Sequence, residues 1–578
     1  MPMLATNRRA LAARFPEVIA LLDTAAPAAV PAPPLTEEPV AFLAEAAASR
    51  RILRALTGVP GPATATALLA RAPRETLFWC IEPEAATLAA RLAREDLAAW
   101  LADPRVFLSI GAPSAPQLRR LNRELAWVDS ARALFLPTRY TGADALWRPL
   151  LVASLSRVQQ RWQNVLTDLR LSPVRWQNTC ANLPGFLASP SVEPLAGAFA
   201  GVPLVLVAAG PSLDDALPFL RRVAPHALIV TGNTSFRALA AHGLAPHLTV
   251  TVDPYSSTDL GYAGQSLGDT HLVAPVFAYP SVHHRFAGRL FGMADESHLL
   301  ARLRAAAGLP PAPAILGEAT VSATMLNLAA HLGCDRVVFV GQDFAIADDG
   351  RTHAADTFYT DLGCNHQDSE QVHHLPGTTR PQVTVPARHL WYLRVVEERI
   401  ARHQQIRFLN TSHRGAAIAG TAFSTYDEAA AALTAGPARD FAAELRALHA
   451  ATPAPGVRSA MAAELARARS AMREALQLSL TTALANQFAL NDPSPANRRS
   501  FDTAAQRFEQ WRGTRTAEER LLFEGRTKPE IFDAEKRRIL VPVDDPTRPL
   551  REAGEVAWAF AEGAAELHRS LQPLELSS

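Results

Sequence analysis

The stretch from residue 202 to residue 254 limits what this chain can fold into more than any other part of the sequence. It contains three short runs, LVLVA, ALIVT and HLTVTV, which begin at Leu204, Ala227 and His247. Apolar and β-branched residues dominate each run, and a segment with helical periodicity separates each run from the next. Apolar strands that alternate with helices are typical of a parallel sheet covered on both faces. The sequence therefore predicts a doubly wound α/β domain in this region.

The same alternation continues on both sides of these three runs. A helical pattern that ends at Gly333 precedes a further strand, Arg336–Val340, and a later strand covers 406–409. Near the N-terminus, apolar runs cover 77–81 and 106–110, with a helical pattern between them. We therefore expect an α/β class for the N-terminal domain as well as for the central one.

The pattern changes after about Tyr426, where strands cease and helical periodicity takes over. An amphipathic segment ends at an Asn-Asp-Pro sequence, and its apolar positions are Met461, Leu465, Met472, Leu476 and Leu480. A chain of 578 residues is too long for one core, since single cores stop growing at roughly 250–300 residues. The prediction is an N-terminal α/β domain over 1–195, a central domain over 196–425 and an all-helical domain over 426–578. A further helix is predicted from 143 to 171.

Charge, hydropathy and cysteine usage exclude several classes of protein. Fifty-seven Lys and Arg against 56 Asp and Glu leave a net charge of +1, so no overall field draws the chain to nucleic acid. No apolar run approaches the roughly 20 residues that span a bilayer. The four scattered cysteines form no disulfide framework and no CxxC site. We expect a protein of the bacterial cytoplasm without a transmembrane segment.

Polar residues follow three neighbouring strands of the predicted sheet. Gly210, Pro211 and Ser212 turn the first strand into a helix, where Ser212 is suited to cap and free N–H groups are suited to bind phosphate. Asn233 ends the second strand and Asp253 ends the third, and both types of side chain bond ribose hydroxyls or a base edge. Each alone is also an ordinary turn former. Polar turn residues at the ends of three consecutive strands favour a nucleotide-binding cleft at the carboxyl edge of the sheet.

The turn after the first strand matches neither of the two common phosphate-binding motifs. It is not GxGxxG, because the second glycine is absent, and it is not a P-loop, because the lysine is absent. Asp214 and Asp215 follow directly, and they favour the helix dipole but repel a phosphate unless they point away from it.

Three blocks of the central domain together resemble the Maf (motility-associated factor) flagellin glycosyltransferases. The blocks contain the turn residues described above. The first block reads AAGPSL…VTGNTSFRALAAHGLAPHLTVTVDP, the second GEATVSATMLNLAAHLGCDRVVFVGQDFAIADDGRTHA and the third NTSHRGAAIAGT. An N-terminal stretch, FWCIEPEAATLAARLAREDLAAWLADPRVFLSIGAP, is also similar to the family's N-terminal domain. The resemblance covers roughly residues 75–425 in the family's order, and three linked motifs are more specific than one.

The resemblance implies transfer of a nonulosonic acid, such as pseudaminic or legionaminic acid, from its CMP-activated form to Ser or Thr of flagellin, in flagellum assembly and motility. The core is also similar to bacterial sialyltransferases that read GNGPS at the turn. Two positions differ, because Ala209 stands where those enzymes have Asn, and Glu318 and Ala319 replace the usual Gly-Ser turn. The residues that the resemblance places on the nucleotide sugar are Gly210, Pro211, Ser212, Asn233, Asp253, Thr320, Ser322, Gly341 and Gln342.

The chemistry needs a base for the acceptor hydroxyl, and the resemblance offers two histidines. His353 lies in the T-H-A motif of the Maf family, whereas His389 falls where the sialyltransferases place a catalytic histidine. Histidine is the side chain best matched to proton transfer at neutral pH, although a lone histidine is more often structural. Asp343 ends its strand at the cleft, where it either orients the base or holds the loop. We favour His353 as the base and the loop role for Asp343.

No metal or other cofactor is expected beside the CMP-activated sugar. Cys364, His366, His373 and His374 match no usual zinc spacing, and a mobile lid over the site is the better interpretation.

Two other functions stay open, as does the role of the C-terminal helices. One is a diphosphotransferase that uses ATP and Mg²⁺, because MptE-like 6-hydroxymethylpterin diphosphokinases share the GPSL core. The other is a non-catalytic flagellin-binding accessory protein. The C-terminal helices either engage flagellin or a flagellin chaperone through their apolar stripe, or pack that stripe on the central domain.

Overall fold

The computed structural model describes most of the chain and divides it into two compact units, residues 1–169 and 170–578. The described residues are 3–23, 52–72, 76–82, 84–110, 134–136, 171–293, 298–315, 320–361, 371–450, 455–515 and 547–571. Most of the helix predicted over 143–171 lies outside them. The two predicted domain boundaries, at 195/196 and 425/426, stay predictions.

The first unit contains a parallel sheet of four strands in the order β3-β2-β1-β4. The strands are β1 Ile52–Thr57, β2 Thr76–Glu82, β3 Val106–Ile110 and β4 Leu134–Leu136. The helices are Ala5–Arg14, Pro16–Asp23, Pro62–Arg71, Ala85–Leu92 and Ala98–Ala102. The α/β class predicted for this region is confirmed, and β2 and β3 lie where the apolar runs placed them.

The second unit is built on an eight-stranded sheet in the order β14-β13-β10-β5-β6-β7-β8-β9, with every strand pair parallel. Its strands are β5 Leu204–Val207, β6 Leu228–Gly232, β7 Leu248–Val250, β8 His271–Pro275, β9 Leu290–Met293, β10 Arg336–Val340, β13 Arg407–Asn410 and β14 Ala422–Phe423. The doubly wound fold is confirmed. An antiparallel pair, β11 Val372–Leu375 and β12 Val383–Pro386, forms a separate small sheet.

The path of the chain through this sheet creates a topological switch point between two neighbouring strands. The chain runs outward from β5 through β6, β7 and β8 to β9, and then returns to place β10 on the other side of β5. Connections that leave neighbouring strands in opposite directions open a crevice at their carboxyl ends, which is where ligands bind in such sheets. The switch point here lies between β5 and β10, so a ligand crevice is expected at the carboxyl ends of the strands around it.

Helices cover the sheet and continue to the end of the described chain. Their bounds are 171–188, Leu213–Val223, Asn233–Ala241, Pro280–Arg285, His298–Ala306, Val321–Leu332, Phe358–Asp361, Ala387–Arg402, Tyr426–Thr434, Phe441–His449, Pro455–Asn491, Pro495–Thr514 and Arg548–Leu571. Gly333 ends its helix in the left-handed conformation at φ 80°, as its predicted capping role requires. No helix of the described residues is long and apolar enough to cross a membrane.

The apolar stripe of the long C-terminal helix packs inside the second unit. Met461, Leu465 and Met472 are buried in one cluster with residues that include Phe286 and Leu303, beside the β8 and β9 end of the sheet. These three side chains are packed inside the unit and are not available to a partner, whereas Leu480 of the same stripe is 38% exposed, so a partner role of these helices stays a prediction. The helical content predicted after Tyr426 is confirmed.

A partly buried histidine makes the stability of the second unit depend on pH. His247 lies just before β7, and its Nδ1 accepts a hydrogen bond of 2.9 Å from the backbone N–H of Ile229. Burial lowers the pKa of His247 to about 4, and Asp440 offsets this in part. A protonated ring cannot accept that bond, so protonation of His247 opposes folding.

We expect the free energy of unfolding to fall as the pH drops from about 6.5 toward about 4. The folded pKa of His247 lies below the unfolded value of about 6.5, so the unfolded state takes up the proton first, at a cost approaching roughly 1.4 kcal/mol per pH unit. His247→Asn keeps an acceptor and cannot titrate, so its loss of stability in this range should be smaller. Urea midpoints at pH 7 and pH 5 measure this, with His284→Asn on the surface as control. Equal losses in wild type and His247→Asn would contradict the assignment.

Candidate functional site

Two hydrogen bonds join the turn after β5 to the turn after β10. The N–H of Gly210 donates to the carbonyl oxygen of Gly341 at 2.8 Å, and the N–H of Ser212 donates to Oδ2 of Asp343 at 2.8 Å. A Cβ atom on Gly210 would lie 2.5 Å from the Gly341 oxygen and 2.4 Å from Asp343 Oδ2. Only glycine permits this approach, so the sequence motif GPSL and the motif GQD form one structural element.

The turn at Ser212 differs from what the sequence predicts. Ser212 has helical backbone angles and makes no side-chain capping bond, so the predicted cap is wrong. The next two N–H groups donate within the turn, from Leu213 to Gly210 and from Asp214 to Pro211. Protein acceptors thus occupy the N–H groups expected to cradle phosphate. Phosphate binding at Gly210, Pro211 and Ser212 stays a prediction, and it requires these bonds to rearrange.

Asp343 is a buried carboxyl held tightly by the backbone around it. Its side chain accepts the Ser212 bond, and its backbone oxygen accepts from the N–H of Ala416 at 2.8 Å. A Cβ on Gly415 would lie 2.5 Å from its Cα, and Phe344 follows with a positive φ of 56°. Burial raises the pKa of Asp343, while the bond from Ser212 and the charges of His413 and Arg414 lower it in part. This geometry favours the loop-holding role over the orientation of a base.

A chain of polar contacts connects the second and third sequence motifs. The hydroxyl of Ser322 donates to Oε1 of Gln342 at 2.8 Å, and the N–H of Gln342 donates to the hydroxyl of Ser412 at 2.8 Å. The N–H of Ser412 in turn donates to Oδ1 of Asn410 at 2.9 Å. Thr320 accepts from the N–H of Ser322 and caps the helix Val321–Leu332. Sequence reasoning missed the parts played by Asn410 and Ser412, although both lie in the NTS run.

Asn233 and Asp253 lie on the same edge of the sheet, after β6 and β7. Asn233 is the first residue of its helix and is 8% exposed, and Gly261 packs against its backbone. The Asp253 side chain reaches solvent at the edge, yet surrounding protein raises its pKa, while Arg175 lowers it in part. Arg175 belongs to the helix 171–188, which no sequence motif assigned to the site.

Ion pairs neutralise the two aspartates that follow the β5 turn. Asp214 pairs with Arg351 at 2.9 Å and accepts the N–H of Ala355 at 2.9 Å. Asp215 pairs with Arg414 at 2.7 Å. Because each carboxylate already has a cation, the repulsion of an anionic ligand considered above is reduced.

The two candidate histidines are neighbours. The rings of His353 and His389 lie 6.4 Å apart between centroids, in a T-shaped arrangement. His353 stacks on Tyr359 with centroids 4.2 Å apart, and its loop reaches the β5 turn through a bond from the N–H of Ala354 to Ala209. The two alternatives offered by the sequence therefore occupy one place, next to the Gly210 turn.

The surroundings of His353 keep its ring uncharged at neutral pH. Burial, together with smaller effects of the nearby His389 and Arg388, lowers the pKa of His353 to about 4. Nδ1 of His353 contacts the hydroxyl of Thr352 at 3.0 Å, so an uncharged ring that donates from Nδ1 keeps a lone pair on Nε2 to accept a proton from a hydroxyl group.

Metal-ligating side chains are not grouped in the part of the chain that the structure covers. Among the described residues, no cluster of three or more His, Cys, Asp or Glu is placed to hold a metal ion. His373 and His374 lie on β11, whereas Cys364, His366, Glu318 and Ala319 fall outside the described residues. The lid proposed for the 364–374 region stays a prediction.

Comparisons with known proteins agree with this architecture. Residues 177–349 match the family model described as 6-hydroxymethylpterin diphosphokinase MptE-like. The fold is similar to that of the MAf glycosyltransferase from Magnetospirillum magneticum AMB-1, with 15% sequence identity and a TM-score of 0.57, covering 96% of this chain and 88% of that chain. No curated protein matches by sequence. The resemblance expected from the three motifs is confirmed for the fold.

Proposed function

We propose that this chain is a glycosyltransferase that moves a nonulosonic acid from its CMP-activated donor to Ser or Thr of flagellin. The observation that carries the proposal is that His353 and His389 are neighbours and that the His353 loop bonds to the turn after β5, at the switch point of the sheet. A fold shared with a Maf glycosyltransferase over nearly the whole chain supports it. The cytoplasm is the proposed compartment, and a flagellin chaperone is a further candidate partner.

The nucleotide half of the donor is assigned to the β6 and β7 edge. Asn233 offers both a donor and an acceptor to the nucleoside, and Asp253 offers acceptors to ribose hydroxyls. Both side chains lie at carboxyl ends of adjacent strands, so one nucleoside can contact both. Thr320 and Ser322 begin the helix behind them and are assigned to the sugar end.

The chemical step is a displacement at the anomeric carbon of the sugar. The bond from that carbon to the CMP phosphate oxygen breaks, CMP departs with the electron pair, and the acceptor hydroxyl oxygen forms the new bond. The hydroxyl proton passes to the imidazole of His353, which is uncharged at neutral pH. We propose that this step uses no metal, so transfer is expected to continue in the presence of a chelator.

Binding of CMP to the crevice should weaken when Asn233 or Asp253 is truncated. Loss of one side-chain hydrogen bond typically costs about 0.5–1.5 kcal/mol, so Asn233→Ala and Asp253→Ala should each raise the Kd for CMP roughly two- to tenfold. Titration calorimetry measures this. Asn497→Ala on a C-terminal helix is the control, because within the described part of the chain its side chain bonds to the nearby Asp492.

The same titrations separate the proposed reaction from its alternatives. Unchanged CMP affinity in both variants would refute the assignment of the nucleoside site. Tight binding of ATP with Mg²⁺ in place of CMP would favour a diphosphotransferase. Binding of flagellin without any cytidine nucleotide would favour an accessory protein.

A further inference from the structure

The helix 171–188 lies against the loops that follow β7 and β8, at the edge of the sheet where Asp253 is found. Two asparagines, Asn178 and Asn182, are four residues apart on this helix and therefore share one face of it. Both are buried, with 8% and 5% of their surface exposed. The Nδ2 atom of each donates to two backbone carbonyl oxygens of these loops, so the helix is bonded to the edge of the sheet.

Asn178 joins the loop after β7 to the loop after β8. Its Nδ2 donates to the carbonyl oxygen of Pro254 at 2.8 Å and to that of Phe277 at 3.0 Å. An amide nitrogen carries two hydrogens, so both donors of this side chain are used. Pro254 directly follows Asp253 and has no N–H, so its backbone can be held only through the carbonyl oxygen. Asn178 therefore fixes the chain next to Asp253.

The other bonds to the Asp253 backbone are longer. Its carbonyl oxygen accepts from the N–H of Tyr279 at 3.3 Å and from the hydroxyl of Thr258 at 3.4 Å, beyond the most frequent lengths of such bonds. The Asp253 residue is exposed, whereas Pro254 is buried. The loop thus presents a carboxylate to solvent from a backbone that Asn178 anchors. A group held in this way loses little freedom when it binds a ligand.

Arg175 places a cation on the same face of the helix. It precedes Asn178 by three residues, and its Cζ lies 4.8 Å from the centre of the Phe277 ring. Asn178 bonds the carbonyl oxygen of that same Phe277. The face that contains Arg175 and Asn178 is therefore turned toward the loops after β7 and β8.

We propose that Asn178 is a positioning residue, which holds the Asp253 loop so that the carboxylate meets the ribose hydroxyls of the bound nucleoside. The helix 171–188 is then part of the nucleotide site. This proposal rests on the proposed function. Asn178 acts through Asp253 and does not need to touch the nucleotide. Without the Asn178 amide, the Pro254 carbonyl oxygen loses this donor and must turn toward water, which moves Asp253 with it.

Asn178→Leu is the test variant, because leucine is similar in size to asparagine and donates no hydrogen bond. Asn182→Leu is the matched control, because Asn182 donates to Val276 and Ala278, both at 2.7 Å and both in the loop after β8. Each variant loses two bonds to the backbone, so both should lower the urea midpoint to a similar extent. Asn178→Ser keeps one donor. It should show the same pattern at smaller size, and it replaces Asn178→Leu if that variant does not fold.

The first measurement is an NMR titration of the Asp253 carboxyl group without nucleotide. Burial raises the pKa of Asp253 in the folded protein. We expect this pKa to fall toward its ordinary value in Asn178→Leu, because the released carboxylate is better hydrated. In Asn182→Leu the pKa of Asp253 should stay as in wild type.

The second measurement is the Kd for CMP in a double-mutant cycle with Asp253→Ala. Asn178→Leu should raise the Kd roughly two- to tenfold, as Asp253→Ala does, whereas Asn182→Leu should leave it unchanged. Because Asn178 acts through Asp253, the double variant should bind CMP as Asp253→Ala does. A general structural role of Asn178 would instead make the two losses add.

A Kd for CMP that is equal in Asn178→Leu and wild type, while Asp253→Ala binds more weakly, would overturn the proposal and leave the nucleoside site in place. Additive losses in the cycle, or the same loss in Asn182→Leu, would also overturn it. If wild type does not bind CMP while the pKa of Asp253 still depends on Asn178, the positioning of Asp253 stands and the proposed function fails.

Discussion

His353→Ala is expected to slow sugar transfer about 10²–10⁴-fold while the Kd for CMP stays nearly unchanged, because a general base acts on the acceptor hydroxyl and not on the nucleotide. The His353 ring stacks on Tyr359 and lies against His389, next to the β5 turn that borders the crevice. Initial rates of flagellin modification, measured at equal folded fraction, provide the test.

His389→Ala must be measured alongside His353→Ala, because the two imidazole rings are neighbours. If His389 is the base, the loss of rate moves to His389→Ala and His353→Ala retains most of its activity. His374→Ala controls for the loss of any histidine nearby, since His374 is exposed on β11 of the hairpin that leads to the His389 helix. Rates equal to wild type in both variants would remove the catalytic assignment from both.

Gly210→Ala should lower the free energy of unfolding by about 1–3 kcal/mol, the usual cost of overpacking a tight site. The added methyl group would meet the Gly341 backbone oxygen at 2.5 Å, and a backbone atom cannot turn aside as a side chain can. The turn must then separate from β10, which breaks the bond from Ser212 to Asp343. Urea denaturation measures the stability, and CMP titration reports the effect on the crevice.

Gly185→Ala is the matched control for this variant. Gly185 lies in the helix 171–188, and a Cβ there would have no atom within 4 Å. Alanine in place of a helical glycine usually adds about 0.5–1 kcal/mol, so this variant should be as stable as wild type or more so. Equal stability of Gly210→Ala and wild type would show that the two turns are not clamped together.

The sequence predicts the centre of the sheet well because apolar runs and turn residues are local signals. Strands β5, β6, β7, β10 and β13 lie within two residues of the predicted positions. β8 and β9 were not predicted, although they extend the same sheet and carry much of the surface that the C-terminal helices cover.

The contacts of the site were less predictable because they depend on residues far apart in the chain. Ser212 makes no cap because its backbone is helical, and its N–H instead reaches Asp343, from the turn after β10 on the other side of the switch point. The meeting of His353 and His389 depends on the path of the β11–β12 hairpin between them, which no local pattern encodes. The carboxyl-edge placement of Asn233 and Asp253 needed only strand ends, so it could be anticipated.

The direct test of the proposed function is incubation of the purified full chain with a CMP-activated nonulosonic acid and purified flagellin, followed by intact-mass spectrometry. We predict that flagellin gains mass in steps of one nonulosonic acid residue, that one CMP is released per step, and that EDTA does not prevent transfer. Flagellin that stays at its original mass with folded, CMP-binding protein would contradict the account, as would phosphate transfer from ATP that EDTA abolishes.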